Sequence, residues 1–333
     1  MTLLKVENLT VEFDTDEGRI VAVDDVSFEL EPGQVMGLVG ESGSGKSVTA
    51  KSLMRLNPDN AVYGSDSRIT LDLDGGRVEV LKLRSNREMR VVRGGAVSMI
   101  FQEPMASFAP AITIGDQMVE QLQLHRRMTK REARDHSVNM LERVGIAEAG
   151  RRFGQYAFEL SGGMRQRAMI AMALSTQPKL LIADEPTTAL DVTIQAQVID
   201  LMKDLVAEFR MGIIFITHDL GVIAQTADKV AVMYLGRIVE QGPVRDVIRN
   251  PAHPYTRGLI RALPDIDDLD APLIPVPGDI PSPLERPSGC VFHTRCPEVI
   301  RGRCNVAVPR MAMLKEGHTA ACFPLEDALV PAE

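Results

Sequence analysis

The sequence predicts an α/β protein with a mostly parallel sheet, followed by a smaller part of different composition. Two observations predict the α/β part: short buried-strand segments alternate with helical segments, and a glycine-rich motif stands between a strand and a helix. A third predicts the smaller part, because prolines crowd the interval from Pro251 to Pro287 and proline interrupts helices and strand ladders. The length of 333 residues allows about two domains.

The amino-terminal third contains strand patterns on both sides of the glycine-rich motif. Val35–Val39 is a short apolar run with β-branched residues, which is typical of a buried strand. The helix that follows is expected to end at Asn57-Pro58, because proline cannot continue it. Strands are also expected over residues 3–13 and 20–30, and a hairpin is expected over residues 69–83.

The middle of the chain combines helical periodicity with apolar strands. Residues 112–176 have the periodicity of several helices. A hairpin is expected around Leu235-Gly236, between residues 230–234 and 237–240. A buried strand is expected over Val97–Phe101. Two short, continuous apolar runs are of the kind found in parallel sheets with both faces covered, namely Leu180–Ala183 and Ile213–Thr217.

Composition and charge exclude several classes of protein. With 45% hydrophobic residues the chain is not disordered. Its 37 basic and 45 acidic side chains give a net charge of −8, so we expect no nucleic-acid partner held by phosphate contacts. Apolar stretches such as Ala168–Leu174 are far shorter than the ~20 residues that cross a bilayer. The amino terminus also lacks the basic start and apolar core of a secretory signal, so a cytoplasmic chain is expected.

The glycine-rich motif has the form G-x-x-x-x-G-K-[ST] in its required place, after a strand and before a helix. Its glycines let successive backbone N–H groups point at phosphate oxygens, and the helix N-terminus favours an anion. Lys46 brings a charge to the outer phosphates, and Ser47 offers a hydroxyl to Mg²⁺. The nucleotide-binding candidates of this segment are Gly40, Glu41, Ser42, Gly43, Ser44, Gly45, Lys46, Ser47 and Val48.

An acidic pair supplies the carboxylates that such a loop needs. Leu180–Ala183 is a buried strand, and Asp184 emerges at its end, where it can enter the Mg²⁺ shell. Glu185 follows at once and can act as general base toward the attacking water. The loop and the acidic pair together predict a protein that binds and hydrolyses a nucleoside triphosphate.

A third motif resembles that of a known family. Leu160-Ser161-Gly162-Gly163-Met164, whose serine lies 23 residues before Asp184, resembles the signature of ABC-transporter ATPases, usually L-S-G-G-Q. Met164 departs from that pattern, while Ser161, Gly162 and Gly163 are intact. The family's other landmarks are found in the family's order within about residues 3–245. Phe13 resembles the aromatic residue that stacks on adenine, and Gln102 resembles the Q-loop glutamine. Thr188–Asp191 resembles the D-loop, in which Asp191 is the site residue, and His218 resembles the switch histidine.

The resemblance implies a fold and a set of roles. The fold is an ABC-type P-loop NTPase core: a mixed sheet with a RecA-like part, an antiparallel β subdomain and a helical signature subdomain. The ATPase domain is expected over residues 1–243 and its helical subdomain over about 105–178. Ser47, Gln102 and Asp184 are expected to bind Mg²⁺, and His218 is expected to be a catalytic residue that contacts the γ-phosphate. The signature is expected to meet an ATP bound by the opposite subunit of a head-to-tail dimer.

The part after residue 243 resembles the extension on ATPases of oligopeptide and dipeptide importers. The resemblance rests on Asn250–Thr256 with Leu259–Leu263, and on Met105–Phe108 and Met164–Arg167 in the ATPase domain. We therefore expect a small cysteine-bearing extension over residues 244–333, with a linker at 265–288 and a cysteine module at 289–325.

The four cysteines all lie in that extension, spaced C-x5-C-x7-C-x17-C, at Cys290, Cys296, Cys304 and Cys322. A reducing compartment argues against disulfides. Soft thiolates suit iron–sulfur clusters or zinc, and the module has little apolar content for a core, so a metal staple is expected. The resemblance implies a [4Fe–4S] cluster held by the four cysteines rather than by nearby His293. Zinc and unligated thiols remain open.

The function implied by the resemblance is that of an ATP-hydrolysing subunit of an ABC importer of di- and oligopeptides. The expected partners are a second ATPase subunit in a heterodimer, two transmembrane permease subunits and an extracytoplasmic solute-binding protein. The expected location is the cytoplasmic face of the cell membrane. Alternatives are import of oligosaccharides, nickel complexes or glutathione, a soluble ABC ATPase of DNA repair or translation, and a redox sensor that retains ATP binding.

Overall fold

The computed structural model describes residues 2–102, 107–186, 192–263 and 275–329. The chain forms two compact units, each built from segments that are distant in sequence. The first unit comprises Met1–Leu4, Leu30–Gln34 and Thr70–Ile216, and the second comprises Lys5–Glu29, Val35–Ile69 and Thr217–Glu333.

The strands, numbered along the chain, are β1 (Leu4–Thr15), β2 (Gly18–Leu30), β3 (Val35–Val39), β4 (Ala61–Tyr63), β5 (Arg68–Leu73), β6 (Gly76–Glu79), β7 (Val97–Ile100), β8 (Leu180–Asp184), β9 (Gly212–Thr217), β10 (Lys229–Tyr234), β11 (Arg237–Pro243), β12 (Met311–Lys315) and β13 (His318–Ala321). The helices are α1 (Lys46–Leu53), α2 (Asn86–Met89), α3 (Ile114–His125), α4 (Lys130–Arg143), α5 (Ala149–Arg152), α6 (Gly162–Ser175), α7 (Val192–Phe209), α8 (Leu220–Thr226), α9 (Val244–Arg249), α10 (Pro254–Arg261) and α11 (Phe323–Leu329). Within the residues that the structure describes, none of the helices has the length and the apolar character that a membrane span requires.

The first unit is built on a parallel ladder in which β8 pairs with β7 and β9. Every residue of these three strands is buried, as expected for a sheet with both faces covered. The ladder therefore carries the end of β8 to a fixed position, with Asp184 opposite Ile216 of β9. The hairpin predicted near residues 69–83 is also present as β5 and β6.

The helices of the first unit begin at residues that cap them. Thr113 and Thr129 accept from backbone N–H groups at the starts of α3 and α4, and Glu132 completes a capping box on α4. Ser161 caps α6 in the same way. The helical periodicity of residues 112–176 thus corresponds to α3, α4, α5 and α6.

The second unit contains a sheet in the order β12-β13-β11-β10-β3, in which β3 and β10 run parallel. β1 pairs with β2 and β4 in another sheet. The sequence patterns did not predict β12 and β13, which join the sheet through pairs such as Glu240 with Ala320. β13 pairs with β11 and β12 pairs with β13, so pairing between these segments decides a conformation that local propensity did not indicate.

The carboxyl-terminal extension shares an apolar core with β10, although its sequence indicated little apolar content for a core. Phe292 and Tyr255 of the extension are fully buried with Tyr234 of β10. The three rings lie with centroids 4.7 to 5.3 Å apart, a range in which aromatic pairs attract one another beyond area burial.

Buried polar groups tie the extension to β11. Glu240 has no exposed surface. Its carboxylate accepts from the backbone N–H groups of Ala252 and His253, each at 2.9 Å, and lies 2.8 Å from His318 Nε2. Burial lowers the pKa of His253 to about 3, so this imidazole is neutral at physiological pH, and its Nδ1 accepts from Tyr255 N at 3.1 Å.

Candidate active site

The glycine-rich loop joins β3 to α1 and wraps around the ammonium group of Lys46. Lys46 Nζ donates to the carbonyl oxygens of Gly40 at 2.8 Å and Glu41 at 2.9 Å, and to Ser44 Oγ at 3.2 Å. The lysine is only 6% exposed. A buried cation held by loop oxygens is suited to an exchange of those partners for phosphate oxygens.

Two positions of the loop require glycine. Gly40 has φ 153° and Gly45 has φ 97°, backbone angles that residues other than glycine rarely adopt. A Cβ atom at Gly40 would lie 2.2 Å from the carbonyl oxygen of Met233, and one at Gly45 would lie 2.5 Å from that of Ala22. The strands around the loop therefore approach it so closely that only glycine fits.

The second unit also carries the other predicted contacts to the nucleotide. Ser44 is buried, Ser47 and Val48 are half-buried at the start of α1, and Ser42 and Gly43 are exposed. Half-buried Phe13 lies on β1 opposite Ala61 of β4. His218 is exposed after β9, just before Asp219, which caps α8.

The predicted carboxylates lie in the first unit, at the end of β8. Asp184 is the last residue of the strand and is only 4% exposed. Gln102, which follows β7, donates from its Nε2 to Glu185 Oε2 at 3.0 Å. The parallel pairing of β7 with β8 brings Gln102 and Glu185 together, because the carboxyl ends of both strands lie at the same edge of the sheet.

Glu185 has a strained backbone that sequence reasoning missed. Its φ is 46°, in the left-handed region, which costs a residue with a side chain on the order of 1–3 kcal/mol. Its N–H donates to the carbonyl oxygen of Ile216 at 2.9 Å. Strain of this kind concentrates at functional sites, and no local sequence signal predicts it, because glutamate has no preference for left-handed turns.

The predicted signature forms the N-terminus of α6. Ser161 Oγ accepts from the N–H of Met164 at 3.4 Å. Ser161 and Gly162 are exposed, and a Cβ atom at Gly162 would have no neighbour within 4 Å. Half-buried Gly163 follows in the first turn. An open helix N-terminus with a free approach to its backbone can bind an anion.

Two predicted segments cannot be placed. The D-loop Thr188–Asp191, including Asp191, lies outside the described residues, as do Met105 and Ala106. Their roles stay predictions. The linker assigned to residues 265–288 is described only from residue 275 onward.

The four cysteines lie in one part of the second unit. Cys304 is buried and the other three are half-buried, and Cys290 N donates to the carbonyl oxygen of Cys304 at 2.8 Å. Burial, followed by the charges of the other three cysteines, raises the pKa of Cys322 to about 12. Burial likewise raises the pKa of Cys290 to about 11.

This arrangement fits a metal centre in chemistry but not in geometry. Four thiols in one segment are in chemical terms a suitable donor set for iron or zinc. Across residues 2–102, 107–186, 192–263 and 275–329, however, no group of three or more histidine, cysteine, aspartate or glutamate side chains is arranged to hold a metal ion. The predicted cluster therefore has no support from coordination geometry.

Comparison with protein families finds two matches along the chain. Residues 23–188 match the model of the ABC transporter family. Residues 239–304 match the model described as the oligopeptide/dipeptide transporter C-terminal region. The first match contains the glycine-rich loop and the acidic pair, and the second contains three of the four cysteines.

Named relatives match over nearly the whole chain. A putative peptide import ATP-binding protein of Brucella abortus is 49% identical over 327 residues, 96% of either chain. The oligopeptide transport ATP-binding protein OppD of Salmonella typhimurium is 49% identical over 328 residues, 98% of this chain and 95% of that protein.

Solved structures share the fold. A dimeric bacterial ABC transporter cassette matches 73% of this chain and 99% of its own, with a TM-score of 0.64 and 24% identity. The protein CbiO1 of Clostridium perfringens, part of an ABC transporter complex, matches 75% of this chain and 91% of its own, with a TM-score of 0.61 and 26% identity. The likeness to the first supports the fold alone.

Proposed function

The chain belongs to the ABC transporter family of ATP-binding proteins, and on that premise we propose that it is the nucleotide-binding subunit that powers an importer of di- and oligopeptides. Proteins of this family are ATPases that serve membrane transporters. The observation that carries the peptide assignment is the 49% identity to OppD over 98% of this chain. The match of residues 239–304 to the transporter C-terminal region supports the same substrate class.

The proposed binding roles follow from the chemistry of each side chain. Lys46 exchanges its loop oxygens for the outer phosphates of ATP, and Phe13 stacks on the adenine. Hydroxyl and carboxylate oxygens are the ligands that Mg²⁺ prefers, so Ser47 and Asp184 fit this ion, together with the amide oxygen of Gln102. When bound, Mg²⁺ neutralises charge that develops on the phosphate oxygens.

Glu185 is the proposed general base. It accepts the proton of the attacking water as the water oxygen bonds to the γ-phosphorus, while the bond from that phosphorus to the bridging oxygen breaks and ADP leaves. The 3.0 Å hydrogen bond from Gln102 holds the carboxylate in one orientation, which favours a single direction of proton transfer. His218 contacts the γ-phosphate in this proposal and stabilises charge in the transition state.

The proposed assembly contains two ATPase subunits. The exposed N-terminus of α6, with Ser161, Gly162 and Gly163, binds the γ-phosphate of an ATP held by a second, different ATPase subunit, which we propose forms a heterodimer with this chain. Relatives named for peptide import imply membrane permeases as partners. We further propose two permease subunits, delivery by a solute-binding protein, and a location on the cytoplasmic face of the membrane. We also propose that the ATPase domain covers residues 1–243 and that the carboxyl-terminal extension covers residues 244–333.

The importer assignment is tested by peptide uptake. Deletion of the gene is expected to abolish uptake of a labelled tripeptide, because the permeases cannot move their cargo without this ATPase. The wild-type gene is expected to restore uptake, and a gene with Lys46→Ala is expected not to restore it. A gene with Lys51→Ala is the control and is expected to restore uptake, because Lys51 lies in the last turn of α1. Normal tripeptide uptake in the deletion strain, or loss of nickel or oligosaccharide uptake instead, would contradict the peptide assignment.

The cysteine module is proposed to hold a [4Fe–4S] cluster with a mainly structural role. The support is the donor set of Cys290, Cys296, Cys304 and Cys322, in which Cys290 N donates to the carbonyl oxygen of Cys304, and the resemblance to importer ATPases that carry such a cluster. Thiolates are the ligands of this cofactor. When bound, the cluster would cross-link the segments that carry the four thiols.

Metal analysis of anaerobically purified chain tests the cluster. About four irons per chain are expected, as for a single [4Fe–4S] centre. Cys304→Ser is expected to lose the iron, and His293→Ala is expected to keep it, because the proposal assigns no ligand role to that histidine. One zinc and no iron, or neither metal in the wild-type protein, would overturn the proposal.

A further inference from the structure

Arg295 of the cysteine module contacts the glycine-rich loop, 254 residues away in sequence. Its Nη1 donates to Glu41 Oε2 at 2.7 Å, and its Nη2 donates to Glu41 Oε1 at 3.1 Å. This is the bidentate arrangement in which arginine binds a carboxylate most strongly. The Arg295 side chain is 4% exposed and that of Glu41 is 27% exposed, so the pair is largely screened from solvent.

Other contacts fix the orientation of the guanidinium group. Arg295 Nε donates to the carbonyl oxygen of Pro277 at 2.9 Å, and Nη2 donates to that of Val276 at 3.1 Å. The group also lies over the ring of Tyr234, 5.7 Å from its centroid. Because these partners belong to the extension and to β10, the fork that faces Glu41 is held in place before any nucleotide binds.

Glu41 passes this constraint to the loop. Its N–H donates to the hydroxyl of Tyr255 at 2.9 Å, so the extension holds its main chain as well as its side chain. Its carbonyl oxygen accepts from Lys46 Nζ at 2.9 Å. Arg295, Glu41 and Lys46 therefore form a connected series from the extension to the phosphate-binding lysine.

Charge gives a second reason for the contact. Glu41 places a carboxylate within a loop that, in the proposed function, binds the anionic phosphates of ATP. An unpaired carboxylate there would repel them, and the positive charge of Arg295 offsets it.

We propose that Arg295 is a positioning residue of the ATP site, which acts through Glu41 by fixing the start of the loop and neutralising its carboxylate. The extension is then a component of the nucleotide site. This inference rests on the proposed binding of ATP at the loop.

The test compares ATP binding and hydrolysis in the assembled transporter. Arg295→Met is expected to raise the Kd and the KM for ATP by about tenfold or more, since loss of one partner of a largely buried charge pair has effects of that order. The kcat at saturating ATP is expected to stay within about twofold, because ATP binding energy returns the loop to its working form. The matched control is Arg257→Met, whose arginine binds Glu298 in the same extension at 2.6 and 2.7 Å and is expected to leave Kd unchanged.

A second substitution separates positioning through Glu41 from general damage. Adding Glu41→Gln to Arg295→Met is expected to recover at least about threefold of the lost affinity, because it removes the unpaired charge. Equal Kd values for the single and the double variant would overturn the inference, as would a folded Arg295→Met protein that binds ATP like the wild type.

A conservative variant keeps the test decisive if Arg295→Met does not fold. Arg295→Lys retains the charge but not the bidentate geometry, so a Kd raised by about threefold is expected and an unchanged Kd would overturn the inference. Failure of the wild-type transporter to bind ATP at all would instead contradict the proposed function, so the two failures are distinguishable.

Discussion

Glu185→Gln is expected to lower the steady-state ATPase rate of the assembled transporter by about 100-fold or more, with ATP binding retained. Glutamine has the shape of glutamate but cannot accept the proton of the attacking water. The substitution leaves the backbone of residue 185 free to keep its φ of 46° and its bond to Ile216 O. The closed, ATP-bound dimer is therefore expected to accumulate, which size-exclusion chromatography with labelled ATP would detect.

The matched control is Glu142→Gln on α4, which makes the same chemical change on an exposed helix face of the same unit. Its ATPase rate is expected to equal that of the wild type. Near-normal hydrolysis by Glu185→Gln in the assembled transporter would show that another group acts as the base. Loss of ATP binding in that variant would instead point to a structural role.

Lys46→Ala is expected to weaken ATP binding itself. The lysine is buried and holds Gly40, Glu41 and Ser44 around its ammonium group. Removing a charge that pairs with phosphates in a partly desolvated site costs about 2–4 kcal/mol, which corresponds to a Kd raised by about 30-fold to about 700-fold. Calorimetric titration with ATP measures this directly.

Lys51→Ala provides the comparison for this second prediction. It makes the same substitution in the last turn of α1, and its Kd for ATP is expected to match the wild type. A thermal unfolding curve separates weak binding from an unfolded loop in Lys46→Ala. Unchanged ATP affinity in a folded Lys46→Ala protein would contradict the assignment of the loop.

Local patterns were sufficient for the parts of the site that depend on neighbouring residues. The glycine-rich loop requires φ values that only glycine adopts readily, as Gly40 and Gly45 have, so its sequence is readable without a structure. The strand ending in Asp184 is buried on both faces and therefore forms an uninterrupted apolar run. The start of α6 is marked by Ser161, because capping involves residues three apart.

Contacts between distant segments could not be predicted in this way. The meeting of Gln102 with Glu185 depends on the pairing of β7 with β8, and the aromatic core of the extension depends on Tyr234, from outside it. The absence of suitable coordination geometry among the described residues likewise emerged only from their positions.

Local spacing and overall similarity to relatives are enough to identify the ABC ATPase fold, the loop, the acidic pair and the family. The extension of the β11 sheet by β12 and β13, and the contact of Arg295 with Glu41, are visible only in the folded chain. A contact that closes some 250 residues of chain leaves no local signature, because its energy comes from burial and charge pairing, which exist only after folding.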